Sequence, residues 1–318
     1  MKVLITGGAG YIGHHLYWSL NKLGADCYLI DNLSRGLSAR IPKNVHFESV
    51  DLTDSRTLKS YMKNRNFDTV FHLAGLMQAR ESNLKPAAYE LSNVDATVNL
   101  LREITSKEKC RFIFSSSCSV YGNNDRATVD SPIRPLSKYA ETKIQAEHKI
   151  LEAYRNHQTK VNIFRFFNVI GCEENPNACD IQNETLLPAS ARRIMNGLGP
   201  LVYGNDFDTF DGFAVRDFVD VRDIVKALIL PLDNAMKGIH NLSTGIPYSI
   251  GEVLYSLLEI AKRPDLALVI EPKNDLDPSF ISAQPSDSLL ENGWHPNFTV
   301  QESISSFWRT FSAYQNNN

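Results

Sequence analysis

Residues 3–13, VLITGGAGYIG, decide the fold. A short apolar run, the length of a buried strand, feeds straight into a turn crowded with glycine. Gly8, Gly10 and Gly13 satisfy G-x-G-x-x-G, while Gly7, Gly10 and Gly13 give its variant with one more spacer. Three physical demands favour glycine here: the chain must turn tightly, its backbone must come close to a pyrophosphate, and the helix beginning near Tyr11 must pack on the sheet with its N-terminus toward the phosphates. A plain strand-to-helix turn is the bland alternative, and the turn alone does not exclude it.

The next strand adds context. CYLID (27–31) ends on Asp31, eighteen residues after Gly13, where a carboxylate can accept hydrogen bonds from both ribose hydroxyls of an adenosine. A 2′-phosphate would be repelled there, so the expected cofactor is NAD; Arg35 nearby is the one residue that would favour NADP. Asp51 and Leu52, closing the third strand, are read as flanking the adenine, although DLTD (51–54) also looks like a helix N-cap.

Outward from this turn, strand-length apolar runs recur at 3–6, 27–31, 45–51, 69–74, 111–116 and 161–167, separated by helical patterns at 12–23, 54–64, 86–106 and 137–156. Such alternation predicts an α/β fold with a doubly wound parallel sheet of Rossmann type. The rhythm breaks after about residue 170, where Asn, Asp, Gly and Pro accumulate. The expected organisation is an NAD-binding domain of 1–170 plus about 215–245, and a smaller, discontinuous sugar-nucleotide-binding lobe of about 171–214 plus 246–318.

Composition narrows the function. With 318 residues, 43% apolar and 22% charged, the chain can bury a full core. A net charge of −3 without any Lys or Arg run offers no basic stripe to nucleic acid or anionic lipid, so small-molecule chemistry is expected. Five cysteines with no C-x-x-C pair suggest neither a disulfide framework nor a metal site. The opening MKVLITGG reads as a strand rather than a secretion signal, which predicts a cytoplasmic protein.

Tyr139 and Lys143 lie four apart in SKYAETKIQAEHK (137–149), so both project from one helix face. By itself such a pair is commonplace. Ahead of it, however, the fifth strand ends in FSSSCSVYG (114–122), and parallel sheets place chemistry at the carboxyl ends of their strands. A phenol must lose about three pKa units, roughly 4 kcal/mol, to act as a base at neutral pH. Lys143 and an oxidised nicotinamide, both cationic, can supply that much. Tyr139 is then the base and acid, Lys143 lowers its pKa, and Ser117 shares a hydrogen bond with the substrate hydroxyl.

With these residues in place the chain resembles the extended short-chain dehydrogenases/reductases, and within them the NAD-dependent epimerase/dehydratase family. The likeness is to the branch that inverts C4 of UDP-hexoses, and it spans almost the whole sequence. It rests on AGLMQARESNLKPAAYELSNV (74–94), FIFSSSCSVYG (112–122) with Y-A-E-T-K, FRFFNVIG (164–171) and YGNDFDTFDGFAVRDFVDVRD (203–223). The resemblance implies interconversion of UDP-glucose and UDP-galactose through a 4-keto intermediate. It implies that Tyr11, Ile12, the loop from Asp31 through Asn32 to Gly36, Leu73, Ala74, Gly75, Ser92 and Phe167 line the cofactor. It further implies that Asn168, Thr185, Tyr203, Arg216 and Asp277 hold the UDP-sugar, and that two helices per subunit, 86–106 and 137–156, build a homodimer. Arg216 suits a diphosphate because its planar fork binds two oxygens, the bland alternative being a salt bridge to Asp217 or Asp220.

Departures from the family pattern sharpen the reading. Dehydratases carry an acid pair after the strand-end hydroxyl residue; here Cys118 and Ser119 stand there, which disfavours elimination. Met77 replaces a usual lysine, Asn274 or Lys273 a usual arginine, and Gln284 a usual aspartate. The alternatives are an epimerase or reductase acting on another nucleotide sugar, and an NAD-binding regulatory protein of weak turnover.

Overall fold

A computed structural model describes residues 1–104, 110–155, 161–173, 178–181, 184–273 and 277–316. Asn274 lies outside these residues, as do the last positions of both helical patterns, 86–106 and 137–156. The first strands in chain order are β1 (Lys2–Thr6), β2 (Asp26–Asp31), β3 (His46–Ser49), β4 (Thr69–His72) and β5 (Arg111–Ser117). Next come β6 (Asn124–Ala127), β7 (Val161–Phe166), β8 (Asn168–Ile170), β9 (Leu201–Tyr203) and β10 (Val215–Asp220). The last are β11 (Gly238–Leu242), β12 (Pro247–Ser249), β13 (Val269–Glu271) and β14 (Phe280–Ala283).

The described chain forms two compact units. The first comprises Met1–Val120, Pro135–Arg165 and Ala227–His240. Its sheet has seven strands in the order β11-β7-β5-β4-β1-β2-β3, the doubly wound α/β arrangement expected from the sequence. All six anticipated apolar runs are strands in it. Strand order reverses at β1, which pairs in parallel with both β2 and β4, and ligands of such sheets bind outside the carboxyl ends at that reversal. Register aligns those ends: Thr6 lies opposite Ile30 and His72, and His72 opposite Phe114. Leu4, Val70, Phe112 and Ile163 are fully buried in the sheet's core, each contributing about 1.5–3 kcal/mol by leaving water.

One expected helix differs. The 86–106 pattern is realised as Pro86–Tyr89, a wide π turn over Glu90–Asp95, and Ala96–Ile104. At this turn the Thr97 hydroxyl donates to the Asn93 carbonyl at 2.6 Å, and the Asn93 side chain reaches to the backbone of Leu76. Such bulges mark places where a helix must re-aim a side chain.

The second unit comprises Tyr121–Arg134, Phe166–Lys226 and Asn241–Asn318. Its main sheet runs β12-β10-β14-β6, with β8 paired to β10 and a separate β13-β9 pair. Within the 215–245 stretch, β11 belongs to the seven-stranded sheet and β10 to this one. Helices Leu186–Met195, Ile250–Ile260 and Val300–Asn316 pack on one another. Buried Asp220 ties the long C-terminal helix to β10, accepting from Ser303 Oγ at 2.7 Å and pairing with Arg222 at 2.8 Å. No described helix is long and apolar enough to cross a membrane.

Candidate active site

The glycine turn has the geometry its composition demands. Gly7 takes a positive φ of 70°, and its N–H donates to Ile30 O at 2.9 Å. A Cβ on Gly13 would stand 2.3 Å from Gly7 O, and one on Gly7 would stand 2.8 Å from Ala74 N. The backbone segments at the first and fourth strand ends therefore approach too closely for any side chain, and only glycine fits. Helix Tyr11–Lys22 starts at Gly10 with no side-chain cap, whereas Ser137, Asp54 and Ser249 cap their helices. A helix N-terminus without a side-chain cap is a place where an anion binds favourably.

Asp31 sits at the rim of this turn. Its Oδ2 accepts from Ala9 N at 3.1 Å and its Oδ1 from Leu33 N at 2.8 Å. Burial pushes its pKa up, while those two N–H donors and the Arg40 guanidinium oppose the rise. A carboxylate offers about four lone-pair sites, so acceptor capacity remains for two ribose hydroxyls. A Cβ on Gly36 would lie 2.8 Å from Asp31 Oδ1, which explains a glycine there. Arg35 is held away from a phosphate role by Glu81, to which it donates at 2.7 and 2.8 Å.

Asp51 resolves between its two readings. The helix cap is Asp54, which accepts from Arg56 N and Thr57 N; Asp51 instead accepts from Thr53 and, at 3.2 Å, from Asn32 Nδ2. Burial raises its pKa, but the Thr53 and Asn32 bonds outweigh that and hold it below the usual carboxylate range. Asp51 and Asn32 thus form one hydrogen-bonded pair.

The strand-end hydroxyls meet the helix that carries Tyr139 and Lys143. Lys143 is buried, its Nζ donating to Ser115 O at 2.9 Å and lying 5.9 Å from the centre of the Tyr139 ring. Burial lowers its pKa to about 8, with Glu147 opposing the fall, so it stays largely cationic at neutral pH. Burial pushes the Tyr139 phenol up to about 12, and a hydrogen bond with Ser117 works against that rise. In the chain alone Tyr139 is therefore a neutral acid.

Several supporting residues carried no signal in the sequence beyond polarity. Asn93 clamps the loop after β4, accepting from Leu76 N at 2.8 Å and donating to Leu76 O and Thr142 Oγ1 at 3.0 Å. Ser92, on the same π turn, is half-buried beside it. Glu147 and Arg165 form a buried bidentate pair at 2.7 and 3.0 Å, and Ser116 donates to the same carboxylate. Ser82 accepts from Tyr139 N at 2.9 Å, fixing the start of the helix that carries Tyr139 and Lys143.

A directed chain of bonds runs between the ends of β1 and β4. Ala74 N donates to Thr6 Oγ1, leaving that hydroxyl's proton for His72 Nδ1 at 2.8 Å. On the other side Thr97 donates to Asn93 O, so His72 Nε2 must carry the proton it shares with Thr97 at 2.8 Å. Full burial, seconded by the Lys143 charge, lowers His72 to about 3 and keeps it neutral. Leu73, Ala74 and Gly75 are thereby held at the end of β4.

The anticipated UDP-sugar residues all lie in the second unit. Asn168 begins β8, Thr185 precedes helix Leu186–Met195 and donates to Asp180 at 3.2 Å, and Tyr203 ends β9 exposed. Arg216, on β10, is half-buried and donates to Val215 O at 2.8 Å. Its neighbouring carboxylates face other partners: Asp217 accepts from Thr244 and Gly245, and Asp220 from Arg222 and Ser303. Asp277 is half-buried before β14, and Phe167 is buried after β7. Lys273, the alternative to Asn274 at the position of the usual arginine, pairs with Asp206 at 2.9 Å. Met77 is about half exposed.

A parallel nucleotide-binding sheet carrying a Ser, Tyr and Lys at one strand end defines an enzyme of the short-chain dehydrogenase type. Residues 3–251 match the model of the NAD-dependent epimerase/dehydratase family, and the chain belongs to that family. It is 32% identical to a UDP-glucose 4-epimerase of Lactobacillus helveticus over 99% of this chain and 98% of that one. It is 30% identical to UDP-arabinose 4-epimerase 1 of Arabidopsis thaliana over 99% of this chain and 80% of the relative. Among solved structures it is similar to a UDP-glucose 4-epimerase from Bifidobacterium longum in complex with NAD+ and UDP. The TM-score is 0.91 at 27% identity, covering 100% of this chain and 99% of that one.

Proposed function

We propose that this chain is an NAD-dependent epimerase that interconverts UDP-glucose and UDP-galactose at C4, and that Ser117, Tyr139 and Lys143 are its catalytic residues. The observation that carries the reading is the convergence, in one unit, of the uncapped glycine turn, Asp31 and this hydroxyl-phenol-ammonium group, with no acid pair beside Ser117. Relatives named UDP-glucose 4-epimerase that match nearly the whole chain support it.

The residues present fit the cofactor. Gly7, Gly10 and Gly13 with Tyr11 and Ile12 would take the pyrophosphate, Asp31 and Asn32 the adenosine ribose, and Asp51 with Leu52 the adenine. Leu73 to Gly75, Ser92 and Phe167 would face the remainder, with Tyr139 and Lys143 near its reactive end. When bound, NAD supplies a hydride acceptor for C4 and an added positive charge.

The chain's own part is proton handling. Tyr139, pushed up to about 12 by burial, loses its proton only when positive charge is nearby, so Lys143 beside it favours the phenolate. Tyr139 then takes the proton from the C4 hydroxyl and returns it after the sugar has turned over. Lys143, held by Ser115 O, keeps its charge at a fixed distance. Arg216 and Tyr203 would grip the diphosphate and uracil, with Asn168, Thr185 and Asp277 completing the UDP-sugar contacts, and the hexose would be left with few. Exposed Leu91 and Leu151 on the two helical segments support a homodimer formed through them, in a cytoplasmic enzyme of galactose metabolism.

C4 inversion of another UDP-sugar is the second reading, favoured by the UDP-arabinose epimerase relative. Incubation with UDP-galactose deuterated at C4, without added cofactor, tests the first. The label should remain at C4 of the UDP-glucose formed. Loss of label to solvent, or a 4-keto-6-deoxy product, would show another reaction on this scaffold, and no turnover with any UDP-sugar would favour a regulatory role.

A further inference from the structure

We propose that Ser119 is a positioning residue that fixes the direction in which the Ser117 hydroxyl donates its proton. This deepens the epimerase reading and rests on it. Ser119 stands two residues beyond Ser117, on the short helical turn Cys118–Tyr121 that follows β5. Its backbone N–H donates to Ser117 Oγ at 3.2 Å, and its own hydroxyl donates to the same oxygen at 2.9 Å.

A serine hydroxyl has two lone pairs and one proton. Ser119 fills both lone pairs, by a backbone donor that cannot leave and a side-chain donor set by the same turn. Ser117 therefore has no acceptor capacity left, and its single proton must point elsewhere. Tyr139 is the neighbour whose acidity responds to Ser117. A phenol facing a saturated oxygen cannot donate to it, so the bond can only run from Ser117 toward the oxygen of Tyr139 or of the substrate. That is the polarity a phenolate base and a developing alkoxide both need.

Without the Ser119 hydroxyl, one lone pair opens and the Ser117 proton gains a second staggered position, the backbone donor still filling the third. The productive fraction falls about twofold from rotation alone, and a hydroxyl newly able to accept from Tyr139 extends the loss to roughly tenfold. The backbone donor remains, so the fold and the turn persist.

Four variants test this in the full-length enzyme with UDP-galactose: Ser119→Ala, Ser119→Thr, Ser117→Ala and the double alanine variant. Ser117→Ala should lower kcat on the order of a hundredfold. Ser119→Ala should lower kcat roughly tenfold with KM unchanged, and Ser119→Thr, which keeps the hydroxyl, should restore most of it. The double variant should be no slower than Ser117→Ala, because Ser119 acts only through Ser117. A normal kcat in Ser119→Ala beside an impaired Ser117→Ala would overturn the proposal, as would multiplicative losses or a rise in KM alone. Failure of the epimerase reading is separately visible, as a parent protein with no turnover or a Ser117→Ala variant at the full rate.

Discussion

The strand-end group of the first unit and the β9–β10 surface of the second differ in how their side chains are held. Ser117, Lys143 and His72 are each fixed by bonds to backbone or to another fixed hydroxyl: Ser119 N to Ser117, Lys143 to Ser115 O, and Ala74 N through Thr6 to His72. Tyr203 is exposed, and Arg216 is half-buried and donates to the Val215 carbonyl at 2.8 Å. Proton transfer fails when a group is misplaced by an ångström, whereas recognition by a charged fork and an aromatic face tolerates adjustment. The two regions are built to those different tolerances.

Breaking the rigid region should cost most. Tyr139→Phe removes one oxygen and leaves the surrounding bonds in place, so turnover should fall at least about a thousandfold while the fold and bound NAD persist. Steady-state rates with UDP-galactose, together with the cofactor released on denaturation, check this. A near-normal rate would remove Tyr139 from the mechanism.

The adjustable region should respond in binding instead. Arg216→Lys keeps the charge but replaces a two-pronged fork with a point, so KM for UDP-galactose should rise roughly tenfold with kcat little changed. A fall in kcat at unchanged KM would instead tie Arg216 to the chemistry and erase the contrast between the regions.

The smallest effect sharpens the comparison through pH. His72 is depressed in the folded state, to about 3 from 6.5, so the unfolded chain binds a proton that the native chain does not. Its contribution to stability is complete above pH 6.5 and is lost as pH falls from 6.5 toward about 3, at up to about 1.4 kcal/mol per pH unit. His240, lowered by burial to about 4, adds a similar slope. Urea unfolding at pH 7 and pH 5.5 should show that slope reduced in His72→Gln. An identical slope in both proteins would mean that His72 is already charged in the native state.

Local features were legible in the sequence because their physical requirements are local. The run VLIT followed by glycine allows little besides a strand entering a tight turn, and a Cβ on Gly13 would collide with a carbonyl only six residues away. Tyr139 and Lys143 share a helix face by spacing alone. Asp31 followed from its place at a strand end. Ser119 was read there only as the absence of an acid pair, and its bonds to Ser117 depend on the backbone path after β5. Asn93 was invisible as a clamp, since a π turn that re-aims one side chain leaves the apolar pattern unchanged. The Glu147 and Arg165 pair joins a helix to β7 across 18 residues, and His72 meets Thr6 across 66, separations at which residue type carries no address. Sequence by itself determined the parallel α/β fold, the glycine turn that follows its first strand and which residues are candidates for the chemistry. Tertiary structure decided which hydroxyl points where, which carboxylate caps a helix and which cation is engaged, because a hydrogen bond's direction is set by every donor and acceptor that converges on one atom.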